Sequence, residues 1–540
     1  MEKDKIVRSD KMSKVKILEV TQIDLIGRRF NGYNMIYDLD QSKFDIKQAV
    51  ILKESNDKNV IEILNTIWEK QLMEKYIAFE EKLSIKNVLS ISSPSLLKMK
   101  EYQEADIIHF HQFHNANLSI PYLRKIASEK KVIISLHDPW FLTGHCVHFY
   151  DCDKWKTGCV NCPNLTSFFP VLEDHCHDMW QLKKSVFKDL DVDIVVSSDW
   201  MLNLVNQSPV FGTQKRVHKI PFGLDYKKFN SVTKEKARKH FGISNDAFVF
   251  FVRTQSEFKG TPYVLEALKK LETKKEIVVL TCEVTNMLDE VKDKFTIKDL
   301  GLIDDKEMIY AMNSCDVFLM PSIAESFGLM AIEAMACGKP VIVFNNTALP
   351  SVTHAPECGY LVNNRDADDL MKKMKYAIDN PKDVERRGKM ASSIVKKEYT
   401  NEVYNRKLED LYTDVSHRKK KIKEIDLEIK ADENTNQLKF LLNDLTVRSF
   451  GTSHPISKEL LYNLKGIKRK KNYTFSFSEQ SVQDLLIDYT TRIHDYCEEY
   501  KIKSLINTNK VKIEKITYFI KNNPGYFKKV IKRILSRFKV

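Results

Sequence analysis

Apolar and polar positions alternate along this chain in two successive series of short apolar runs separated by stretches of helical period. Apolar runs fall at residues 15–20, 49–52, 87–91, 106–111, 132–137 and 193–198, and again at 248–253, 277–281, 316–320 and 340–344. Helical patterns occupy 60–83, 261–271, 304–313, 329–336 and 366–378. Short Val- and Ile-rich runs that alternate with helices predict parallel sheets covered on both faces. The series restarts after 221–225, so the pattern predicts two consecutive doubly wound α/β units facing a cleft. Ligands in such sheets bind beyond the carboxyl ends of the strands. Past residue 416 strand signals fade, and Arg418-Lys419-Lys420-Lys421-Ile422-Lys423 opens a region of long charged helices.

Composition narrows the class. The 540 residues allow two or three domains, and 43% hydrophobic with 10% aromatic content belongs to a folded protein. The N-terminus carries charges throughout, and no segment reaches the roughly 18 uninterrupted apolar residues of a membrane span. The expected location is the cytoplasm, with the inner face of the cell membrane as a peripheral alternative. A net charge of +13, heaviest late in the chain, suits phosphate-bearing partners: nucleotide sugars, anionic lipid or nucleic acid.

The densest chemistry lies between Cys315 and Ile342. A buried strand ends at Met320, a loop carries Glu325, and Gly328 opens a helix that Gly338 caps and Pro340 stops. A helix N-terminus suits a phosphate. Glu325 and Glu333 beside it suit sugar hydroxyls instead. A second element, 250–260, is a strand, a loop and a helix start carrying the two cations Arg253 and Lys259 at a strand end. His137 ends the run 132–137 and reads either as a site residue or as a structural histidine. His109 and His111 face one side of an alternating strand and read as packing or as a wall of the acceptor side. Gly27 and Gly32 follow the first strand.

Together these motifs resemble the fourth glycosyltransferase family, retaining enzymes of the GT-B fold marked by two glutamates separated by seven residues. Glu325 and Glu333 fit that spacing, with Phe327, Gly328, Ala334, Gly338 and Pro340 also in pattern. The resemblance covers about residues 15–412. It implies that Glu325 holds hydroxyls of the donor sugar and Glu333 the nucleotide ribose, with Ser326, Phe327, Gly328 and Leu329 in the donor-binding turn. It implies a diphosphate clamp of Arg253 and Lys259, a donor-sugar contact for His137 and a phosphate-side loop at Gly27. His137 and Glu325 are then the catalytic pair. Two departures stand out: Val252 replaces a usual glycine, and Phe222 a usual asparagine.

The implied organisation is an N-terminal acceptor domain over 1–225, a nucleotide-sugar donor domain over 226–398, a crossover helix over 399–415 and a helical basic extension over 416–540. The implied reaction moves a sugar from a nucleotide diphosphate to a saccharide or lipid-linked acceptor in bacterial cell-envelope polysaccharide synthesis. It needs no cofactor and no nucleic acid. A non-catalytic GT-B scaffold and a GT-B sugar-nucleotide epimerase are the alternatives.

Two further features stand apart from the donor-side motifs. Cys146, Cys152, Cys159 and Cys162 crowd the loop 144–163 and read as a structural zinc site or as unbound thiols. In the tail 526–540, Phe527, Val530, Ile531, Ile534 and Phe538 form an apolar stripe among lysines and arginines. That helix suits an anionic membrane surface or the protein's own core.

Overall fold

The computed structural model describes residues 13–167, 169–212, 216–255, 257–420, 425–450, 457, 458, 464, 467 and 476–499; the stripe at 526–540 lies outside them. The chain divides into two compact units. The first is built on strands β1 (Val15–Ile23), β2 (Phe44–Leu52), β3 (Val60–Glu62), β4 (Ile107–His111), β5 (Lys131–Leu136), β6 (Val192–Val196) and β7 (Arg216–Lys219). They lie in the order β3-β2-β1-β4-β5-β6-β7, every neighbour parallel. The second unit has β8 (Phe248–Thr254), β9 (Ile277–Glu283), β10 (Thr296–Asp299), β11 (Val317–Met320), β12 (Val341–Phe344) and β13 (Tyr360–Val362). Its order is β10-β9-β8-β11-β12-β13, again all parallel. Each sheet therefore reverses direction once, between β1 and β4 and between β8 and β11. At such a reversal the loops diverge and leave room for a ligand. Every residue of β4, β6, β11 and β12 is buried, as strands covered by helices on both faces must be.

Several predicted elements change. The helix expected over 60–83 begins as β3, because Gln48 N–H donates to the Asn59 carbonyl at 2.9 Å and draws that stretch onto β2. The helix itself runs Ile67–Lys82 and starts at a Thr66/Glu69 capping box. The run 87–91 forms no strand. The buried carboxylate of Glu80 accepts the backbone N–H groups of Asn87, Val88 and Leu89, replacing a sheet partner with one side chain. Strands β7 and β10 sit at sheet edges and carry polar residues, so no apolar run announced them.

The basic extension is not a separate domain in its described part. The described residues between 405 and 499 belong to the first unit. The Tyr122 hydroxyl meets the Thr490 hydroxyl at 2.9 Å, and Arg124 donates to the buried carboxylate of Asp484 at 2.9 Å. Both contacts tie the helix Gln480–Glu499 to the sheet-covering helix Tyr122–Glu129. The second unit begins at Pro221 rather than 226 and also takes in 197–203.

Candidate functional site

In the second unit the chemistry gathers at the carboxyl ends of β8, β9 and β11. Arg253, next to last in β8, donates from Nε and Nη2 to both carboxylate oxygens of Glu283 at 2.6 and 2.5 Å. This two-pronged pair fixes the plane of the guanidinium. Glu283 ends β9 in a left-handed conformation, with φ 83°. After β8 the turn Glu257–Lys259 leads to Gly260, where φ is 80°. A Cβ on Gly260 would stand 1.9 Å from the Pro321 carbonyl oxygen, so only glycine lets this turn lie against the chain leaving β11. The close approach brings Lys259 Nζ to 2.7 Å from Glu325 Oε2.

The Glu325 loop is fixed by backbone bonds, Ala348 N–H to the Glu325 carbonyl at 3.1 Å and Ile323 N–H to the Phe258 carbonyl at 2.8 Å. Gly328, with φ 100°, opens the helix Leu329–Ala336, and no side chain caps that end. Glu333 is buried within the same helix. Phe327 is buried too, its ring 5.1 Å from that of Phe222 and 5.8 Å from that of Tyr399. It props the turn from beneath, and Phe222, standing where asparagine is usual, is part of that support. The hydroxyls of Thr261, Ser322 and Ser326 are buried without a hydrogen-bond partner among the described residues. Buried polar atoms are nearly always paired, so three such hydroxyls beside two cations call for an outside partner. Two cations and an uncapped helix end suit a diphosphate, and the nearby carboxylates suit hydroxyl groups.

In the first unit a second polar cluster lies where β1 meets β4. Glu19, wholly buried in β1, accepts from Tyr412 Oη at 2.7 Å and faces His111 Nε2 at 2.7 Å. His109 Nδ1 meets Tyr412 Oη at 2.7 Å, and its Nε2 meets Ser135 Oγ at 2.8 Å. His111 Nδ1 in turn meets His137 Nε2 at 3.1 Å. With Glu19 ionised, His111 donates to it from Nε2, which leaves Nδ1 to accept the Nε2 proton of His137. Both nitrogens of His109 and of His111 are engaged, so the group is a satisfied hydrogen-bond chain rather than an open chelator. The loop after β1 closes over it. Gly27, with φ 78°, lies against Phe30, whose ring is 5.3 Å from His137. A Cβ on Gly32 would stand 2.6 Å from Glu19 Cβ. Asn31 pins this loop by donating to the Ile23 and Asp24 carbonyls at 2.7 and 2.8 Å.

Burial alone would raise the Glu19 pKa, but the charge and hydrogen bond of His109 and the contacts of His111 hold it down to about 2. His111 is pushed down to about 4, by burial first and by the charge of His109 next. His137 lies well below its usual range through burial and the charges of His111 and His109. At neutral pH the cluster is thus one carboxylate with neutral His111 and His137. A depressed histidine refuses a proton that the unfolded chain accepts, so its stabilising contribution is full above about pH 6.5 and is lost as pH falls toward 4. We expect wild type to lose about 2 kcal/mol more stability than His111→Asn between about pH 6.5 and 4.5. Urea unfolding at the two pH values measures the difference, and parallel losses in both proteins would remove His111 as its source.

Sequence reasoning singled out Arg253, Lys259, Glu325, Glu333 and Gly328, and the fold gathers them in the second unit. It did not find Glu283, Glu19 or Tyr412. A charged residue inside the apolar run 15–20 was the available signal for Glu19. In the cysteine loop, Cys162 is the one predicted thiol within the tightest group. Its companions there are His145 and Cys176, neither of them expected.

Residues 233–394 match the glycosyl transferases group 1 family. An uncharacterised 41.2 kDa protein of the Klebsiella pneumoniae cps region is 27% identical over 334 residues, which are 60% of this chain and 85% of that one. The putative colanic acid biosynthesis glycosyl transferase WcaC of Escherichia coli is 23% identical over 46% of this chain and 61% of its own length. Among solved structures, Anabaena HepE in complex with UDP and glucose aligns with a TM-score of 0.52 at 15% identity, over 74% of this chain and all of that one.

Proposed function

We propose that this chain, a group 1 glycosyltransferase of the GT-B fold, moves a sugar from a nucleoside diphosphate to a saccharide or lipid-linked acceptor with retention at the anomeric carbon. The relatives named for colanic acid and for the cps region support a place in bacterial cell-envelope polysaccharide synthesis. The observation that carries the reading is the cluster at the carboxyl ends of β8, β9 and β11, where Arg253 pairs with Glu283, Lys259 with Glu325, and the flanking segments carry three buried hydroxyls without a partner among the described residues. Arg253 and Lys259 take the diphosphate, Glu325 the donor-sugar hydroxyls and Glu333 the ribose. His137, kept neutral and oriented by the chain through His111 to Glu19, serves the donor sugar as a hydrogen-bonding group rather than a charge.

Charge that develops on the leaving diphosphate is met by cations already in place, and this favours the transition state over the bound donor. The leaving oxygen then helps remove the acceptor's proton on the same face of the sugar, so no protein nucleophile is assigned. Among the described residues no helix is long and apolar enough to cross a membrane.

A panel of nucleotide sugars and free nucleoside diphosphates tests the donor. One base should raise the melting temperature at saturating ligand by binding only the folded chain, and its sugar conjugate should be slowly hydrolysed. If no nucleotide in the panel binds, the donor assignment fails and a non-catalytic scaffold moves ahead.

A further inference from the structure

The cysteine loop shares no residue with the two clusters already described, and it gathers side chains of metal-ligating type. One ligand atom each from His145, Cys162 and Cys176 lies within 4.8 Å of the others. His145 Nε2 is 3.5 Å from Cys162 Sγ, while its Nδ1 is 3.1 Å from the Phe169 carbonyl oxygen. A carbonyl can only accept, so Nδ1 carries the proton and the Nε2 lone pair points at the thiols. A histidine ligand is oriented in this way when its other nitrogen donates to a backbone oxygen. Asn164 N–H donates to Cys162 Sγ at 3.5 Å, and Gly144 N–H donates to Cys159 Sγ at 3.3 Å. Backbone donors aimed at sulfur favour the thiolate that a metal requires. Cys159 and Cys162 also have the Cys-x-x-Cys spacing common in zinc sites.

The backbone around these residues is braced as a ligand cage needs to be. Asp174 accepts from Cys162 N–H at 2.8 Å and from Cys176 N–H at 3.2 Å, holding the two cysteines in register. A Cβ on Gly144 would stand 2.4 Å from the Cys176 carbonyl oxygen, so glycine is what lets the His145 segment approach the head of the helix Cys176–Phe187. Two turns further along that helix, Lys183 donates from its buried Nζ to the Trp140 and Thr143 carbonyls at 2.7 and 2.8 Å.

We propose that His145, Cys162 and Cys176, completed by a third thiol of the same loop, Cys146 or Cys159, bind one zinc ion that ties the loop after β5 to the helix Cys176–Phe187. Three sulfurs and one imidazole form the closed tetrahedral set of a structural site, with no position for substrate. The three thiols release their protons to solvent as the ion binds. Relative to the four-thiol reading of the sequence, Cys162 stays, and His145 and Cys176 join it.

Protein purified without chelator should contain about one zinc per chain. Cobalt exchanged into the full chain should show the visible bands of a tetrahedral site and sulfur-to-cobalt charge transfer of a three-sulfur, one-nitrogen set. His145→Asn, Cys162→Ser and Cys176→Ser should each lower retained zinc about tenfold or more, whereas Cys152→Ser keeps it. Wild-type chain free of zinc and unable to take up cobalt overturns the proposal. So does a four-sulfur cobalt spectrum, or zinc lost from Cys152→Ser and kept by His145→Asn. The wild-type metal content and spectrum hold even where a ligand variant fails to fold.

Discussion

Glu325→Gln should lower turnover about 100-fold, while affinity for the free nucleoside diphosphate should change by less than about threefold. Sugar hydroxyls held by a carboxylate become better donors as positive charge grows at the anomeric carbon, so these bonds strengthen on the way to the transition state. Losing them costs about 2–4 kcal/mol of barrier stabilisation. The pairing of Glu325 with Lys259 at 2.7 Å sharpens the expectation. Removing the carboxylate's charge releases Lys259 toward the diphosphate, which keeps product affinity from falling. Glu333→Gln behaves differently, because the ribose it is assigned does not change during transfer. Its KM rises about tenfold and its turnover falls less than about threefold. Steady-state kinetics with the identified donor and calorimetry with the free diphosphate separate the two. A Glu325→Gln enzyme at full turnover would sink the donor-sugar assignment.

What the sequence disclosed and what it hid divide along physical lines. Buried parallel strands are continuous apolar runs, so β4, β11 and β12 could be read within a residue or two. The helices of the second unit could be read for the same reason, since Asp304 and Asp366 cap them with side-chain oxygens. Local motifs carry their own context, and Glu325, Gly328 and Glu333 belong to one strand–loop–helix. Pairs that form only on folding leave no such trace. Glu19 meets His111 and Tyr412 across 92 and 393 positions, and the alternation of β1 says only that one polar side chain is buried. Glu283 follows an apolar strand and looks like a solvent-facing end residue until β8 delivers Arg253 beside it. Cysteine counting found a thiol-rich loop but not its histidine, because His145 gains meaning only when the Phe169 carbonyl fixes its tautomer. The tail past residue 416 read as a separate domain because charge dominated its pattern. The helix Gln480–Glu499 nevertheless buries twelve of its twenty residues, Asp484 among them, and that carboxylate meets Arg124 only on folding.

Arg253→Ala should lower kcat/KM by about 100- to 1,000-fold, the effect of removing one preorganised donor from a developing anion. The guanidinium is not a loose surface charge. Glu283 grips it through two bonds at 2.6 and 2.5 Å, and it borders the Glu325–Lys259 pair at the carboxyl end of β8. If the remaining guanidinium hydrogens serve the diphosphate, that grip makes orientation as well as charge contribute. Arg253→Lys restores the charge but cannot make the two-pronged contact, and should recover less than about tenfold of the loss. Glu283→Gln tests the orientation by itself. The cation stays, its fixed plane is lost, and turnover should fall about tenfold while diphosphate affinity holds or rises through the removal of a competing anion. A nonspecific loss of fold would lower both readouts together, and the melting temperature would report it. If Arg253→Lys matches wild type in turnover and in diphosphate affinity, charge alone suffices and the positioning role of Glu283 is wrong.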